Sequence, residues 1–167
     1  MMTNYRRILA PIELNRQGEQ IVRRAHHMAR ALDAQLVVVH AVYHHTGFES
    51  DHVPFMTPQQ LLRQIVAQMQ ERLEQLLRRA GAAEVTGRVL AGKAVKILPE
   101  FAWEWRPDLI VLADGADYGL QRSSLLRAIL PVREPAWDIL AVQTGSALSP
   151  GRLLRWMTRL TLSLIHI

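Results

Sequence analysis

The sequence predicts an α/β domain built on a doubly wound, five-stranded parallel sheet with helices on both faces. Three observations carry that expectation. Apolar runs of strand length alternate with amphipathic helical patterns in the order β-α-β-α-β-α-β-α-β. The runs Leu36–Val42 and Leu109–Leu112 show almost no polar alternation, the mark of strands covered on both faces. Residues 106–145 read as strand, loop, helix and strand, the length of one right-handed crossover between parallel strands. A chain of 167 residues with 49% hydrophobic residues fits one domain with a real core.

Taken in order, Tyr5–Pro11 is the first strand, stopped by its proline. Asn15 can cap a helix whose apolar positions are Ile21, Ala25, Met28, Ala29 and Leu32. Arg16, Glu19, Arg23 and Arg30 place its other face in water. Leu36–Val42 is the second strand, and residues 43–56, with Gly47 and Pro54 and no period, form a loop. Thr57 and Pro58 are the cap and first turn of the longest helix. Its stripe is Leu62, Ile65, Val66, Met69, Leu73, Leu76 and Leu77, and Gly81 ends it. Val85–Leu90, with polar Thr86 and Arg88, reads as an edge strand. Ala94–Trp105 is helical around Pro99, which kinks it or begins its regular part. Trp103 and Trp105 flank Glu104 and point to different sides, one packed and one partly exposed. Leu109–Leu112 is the fourth strand and Ala113–Gly119 a loop. A helix follows with Leu120, Leu125, Leu126, Ile129 and Leu130, closed by Pro131 and Pro135. Asp138–Val142 is a second buried strand.

Composition narrows the chemistry. The absence of cysteine excludes disulfides, thiolate metal sites and thiol nucleophiles. No segment has the charged start and apolar middle of a secretory signal, and no apolar run approaches a bilayer span, so a cytoplasmic protein is expected. Of the net charge of +5, Arg152, Arg155 and Arg159 contribute +3, leaving +2 for residues 1–145. That is too mild and too dispersed for a nucleic-acid footprint. Gly87–Ala94 nearly spells a phosphate loop, but Ala94 replaces its Ser or Thr and Gly87 lies inside a predicted strand. His44, His45 and His52 lack metal-ligand spacing, and no nucleophile–base–acid set is evident, so neither a metal nor a catalytic site is expected.

Five stretches together resemble the universal stress protein family: Tyr5–Glu13, Gln35–Val42, Gly92-Lys93-Ala94, Pro107–Leu112 and Asp138–Val142. The resemblance implies strand order 3-2-1-4-5, an adenine nucleotide alpha hydrolase-like fold, and a cytoplasmic homodimer serving stress survival without settled chemistry. In such sheets ligands sit beyond the strands' carboxyl ends at the switch between strands one and four. The family's nucleotide binders place Gly, two residues, Gly, nine residues and Gly-Ser or Gly-Thr after the fourth strand. Here Ala113, Ala116 and Leu126 occupy those positions, and Glu13 stands where Asp is usual. Family-type ATP binding is therefore not expected, and no cofactor is assigned. The alternative is an ATP–Mg site with a degenerate loop, drawing on Pro11, Ile12, Glu13, Ala41, Leu112, Ala113, Asp114, Gly115, Ser123 and Ser124. The implied dimer interface is the last strand, Asp138, Ile139, Leu140, Ala141 and Val142. Residues 1–145 form the domain. The tail, 146–167, reads as an appendage or non-native sequence, with a basic membrane-surface helix as the weaker reading.

Overall fold

The computed structural model describes residues 5–43, 56–114 and 137–144. At the middle of its sheet, β1 (Arg7–Pro11) lies between β2 (Gln35–Val42) and β4 (Leu109–Asp114). β3 (Thr86–Ala91) flanks β2, and β5 (Asp138–Gln143) flanks β4. All four pairings are parallel, and the order is β3-β2-β1-β4-β5, as the resemblance implied.

Side chains alternate across a strand, so each central strand feeds two cores. Ile8, Ala10, Leu36, Val38 and Val111 face α1 (Arg16–Leu32) and α2 (Pro58–Arg79). Leu9, Val37, Val39, Ile110 and Leu112 face Leu98, Phe101 and Ala102 of α3 (Ala94–Trp105). Burying both faces explains why these strands read as unbroken apolar runs.

Local signals place the helix ends. Asn15 Oδ1 accepts from the Gly18 N–H at 3.0 Å and caps α1. Thr57 and Gln60 exchange bonds in a capping box ahead of α2, with Pro58 in its first turn. After α2, Gly81 takes φ 72°, the left-handed region glycine enters without penalty.

The structure departs from the sequence reading at three places. β1 begins at Arg7, because the amides of Arg6 and Arg7 both donate to the Asp108 carboxylate at 2.8 Å and are held at the sheet's lower rim. Only Leu73, Leu76 and Leu77 of the predicted α2 stripe are buried, while Leu62, Ile65, Val66 and Met69 are half-buried. A 22-residue helix is about 33 Å long and outruns the short strands beneath it. Helix α3, by contrast, keeps the expected bounds, Ala94–Trp105, with Pro99 inside it. Finally, β5 is not buried: Leu140 and Ala141 are exposed and only Val142 is covered, because β5 is the sheet's outer strand among the described residues.

The two tryptophans of α3 divide as expected. Trp103 is 51% exposed and meets Trp137 edge to face, with centroids 5.5 Å apart. Trp105 is half-buried beneath the Arg7 guanidinium, 4.5 Å from its ring centre. The predicted helix over residues 120–130, the histidines of the 43–56 loop and the tail lie outside the described residues.

Candidate functional site

β1 and β4 part at the switch point of the sheet, where this topology places its crevice. The β1–β2 ladder runs to Pro11↔Val39 and the β4–β5 ladder to Asp114↔Gln143, but β1–β4 pairing ends at Leu9↔Ile110. The cause is one residue. The Ile12 N–H donates to Val39 O of β2 at 2.9 Å, so the preceding position faces β4. That position is Pro11, which has no N–H to donate.

The loop leaving β1 is held tightly. Asn15 N–H donates to Glu13 O at 2.9 Å, and α1 lands on this turn through Gly18. A Cβ on Gly18 would sit 1.9 Å from the Glu13 carbonyl oxygen, an impossible separation, so only glycine allows this approach. Pro11 and Ile12 are buried and form the floor, and the Glu13 side chain is exposed at the rim.

A residue the sequence reading passed over lies beside them. His40, third from the end of β2, is 8% exposed, and its Nδ1 lies 2.9 Å from Ile12 O. A carbonyl only accepts, so Nδ1 is the donor of this bond. Glu13 Oε2 is 4.0 Å from the same Nδ1. The available signal was a lone polar side chain inside an otherwise apolar strand, which must find a buried partner. Ala41 follows, half-buried.

Across the crevice, Leu112 is buried and Ala113 and Asp114 are half-buried. Ala113 and Asp114, expected to open a loop, belong instead to β4 and stay in register with Val142 and Gln143. Thr144 follows β5 with its hydroxyl buried and without a hydrogen-bond partner. The structure thus brings Pro11, Ile12, Glu13, His40 and Ala41 together on one wall and Leu112, Ala113 and Asp114 on the other. Gly115, Ala116, Ser123, Ser124 and Leu126 lie outside the described residues.

The site offers an apolar floor, two carboxylates and one imidazole. Among the described residues no three histidines or carboxylates gather as metal ligands. The phosphate-loop look-alike has other work: Gly87 sits in β3 beneath Leu73 and Leu77, and Gly92 takes φ 150° and donates to Val42 O at 2.8 Å. Lys93, which caps α3 without a side-chain bond, holds its ammonium 5.3 Å from the Tyr43 ring centre.

Comparison with known proteins sets this geometry in context. Residues 4–131 match the model of the universal stress protein family. Universal stress protein A homolog 1 of Coxiella burnetii is 25% identical over 139 residues, covering 83% of this chain and 96% of that protein. A universal stress protein solved in complex with cAMP superposes with TM-score 0.58 at 21% identity, over 86% of this chain and 100% of that one. The universal stress protein from Archaeoglobus fulgidus in complex with dAMP gives TM-score 0.54 at 14% identity, over 84% and 100%. These two structures share the fold.

Proposed function

The chain belongs to the universal stress protein family, and from that premise we propose that it is a non-enzymatic, cytoplasmic stress-response module acting as a homodimer. In this reading it does not bind ATP in the manner of the family's nucleotide binders. The supporting observation is the length of β4. A phosphate cradle needs backbone N–H groups freed from the sheet and aimed at the ligand. At Asp114 the backbone instead continues in register beside Gln143, with its N–H turned toward β5. Ala113 also brings a Cβ to the position where the binders' first glycine stands.

Isothermal titration with Mg-ATP tests this directly. No saturable heat is expected in the submillimolar range, and the purified protein should show no adenine absorbance. A micromolar dissociation constant would overturn the reading.

A second reading is favoured by the fold neighbours solved with cAMP and dAMP. It keeps the crevice as an adenine-nucleotide site with a degenerate phosphate loop, lined by Pro11, Ile12, Glu13, Ala41 and Leu112. Under it, co-purifying adenine nucleotide would be lost on substituting Ile12 with a charged residue.

A further inference from the structure

The two edges of the sheet are finished differently. In a parallel strand, N–H and C=O groups of alternate residues point to opposite sides, so an edge strand presents every second residue to solvent. On β3 the outward groups include the Gly87 carbonyl and the Val89 N–H, and both are taken by one side chain. Gln70 of α2 donates from Nε2 to Gly87 O at 3.1 Å and accepts at Oε1 from Val89 N–H at 3.2 Å. An acceptor and a donor two residues apart are what a sixth parallel strand would bind, and one carboxamide satisfies both.

Two neighbours hold the amide there. Gln70 Nε2 also donates to Glu74 Oε1 at 3.2 Å, one turn along α2. A carboxylate can only accept, so this bond fixes the end of the amide that carries the N–H groups. Gly87 sets the distance: a Cβ there would lie 2.8 Å from Leu77 Cδ1 and 3.1 Å from Leu73. Glycine lets α2 settle close to the edge, within reach of Gln70.

We propose that Gln70 closes the β3 edge against strand pairing with a second copy of this chain, confining self-association through the sheet to other surfaces. Removing its carboxamide would leave Gly87 O and Val89 N–H open to a neighbouring chain.

Amide hydrogen exchange and sedimentation velocity on the wild-type chain and Gln70→Leu test this. In the wild type the Val89 amide should be protected although it lies on an edge strand, and rapid exchange there would overturn the proposal whether or not the variant folds. In dilute Gln70→Leu the same amide should exchange about tenfold faster, the loss expected for one hydrogen bond. At high concentration the variant should form species larger than the wild type, with Val89 protection restored. A variant that keeps wild-type size at every concentration, or that associates while Val89 still exchanges fast, would sink it.

Discussion

The ion pairs around Glu19 show how little and how much one side chain can contribute. Its carboxylate lies 2.7 Å from Arg23 Nη2 and 3.5 Å from Arg79 Nε, and Arg23 also donates to Arg79 O at 2.6 Å. The hydrogen bond from Arg23, with smaller help from its charge and from Arg79, holds the Glu19 carboxyl below its ordinary value of 4.5. A lowered folded-state value means the native protein binds this proton less readily than the unfolded chain. The stabilisation is therefore complete above the ordinary carboxylate range and fades as pH falls through the folded value. Because the site is open to solvent, it contributes about 0.2–1 kcal/mol. Urea denaturation of the wild type and Glu19→Gln should differ by that amount at neutral pH and converge in acid. A gap that persists undiminished in acid would assign the effect to packing. Glu84 follows the same sign, lowered by its own backbone N–H and by His26 Nε2 at 2.7 Å.

At the scale of elements, close approach is licensed by glycine. Gly18 lets the first turn of α1 rest on the Glu13 carbonyl, and Gly87 lets α2 rest on β3. They differ in what a Cβ would meet. At Gly87 it would press on the flexible ends of Leu77 and Leu73, whereas at Gly18 it would strike backbone. Gly18→Ala must therefore displace α1 or the β1–α1 turn, a cost of about 1–3 kcal/mol or more. In a domain of this size that is a fall in melting temperature of about 3–10 °C. Thermal unfolding that leaves Gly18→Ala unchanged would show that the turn yields freely. The same turn carries Ile12 O, the His40 acceptor, so the substitution should also perturb the imidazole's NMR signals.

At the scale of the whole molecule, β5 is the outer strand on the β4 side among the described residues. Asp138 N–H donates inward to Asp108 O at 2.9 Å, so the amides of Ile139, Ala141 and Gln143 point outward. A homodimer through this edge, part of the proposed function, would use one patch on both copies. Ala141→Pro removes an outward donor and leaves the β4 ladder with its inward ones. It should convert a dimer to a monomer in analytical ultracentrifugation while circular dichroism stays native. A variant that remains dimeric and folded would move the interface elsewhere. Tyr5 OH donates to Asp138 Oδ2 at 2.7 Å and anchors the strand's start, a bond that lifts the phenol above its ordinary value of 10.0. No helix among the described residues is long and apolar enough to cross a membrane.

Much of this fold was legible from periodicity and punctuation alone. The apolar runs named the central strands, because a strand covered on both faces has no polar alternation to show. Asn15, Thr57 and Pro58 named the helix starts, because capping is a local hydrogen bond between near neighbours. What tertiary structure alone decided concerns partners distant in the chain. Nothing near His40 announces that Ile12 will accept its proton, 28 residues away, nor does Gln70 show that its amide will finish an edge 17 to 19 residues on. The exposure of β5 belongs to the same class: its apolar residues promise burial, and its place at the end of the sheet withholds it. Burial and pairing depend on what the rest of the chain brings alongside, and a residue's own type carries no record of that.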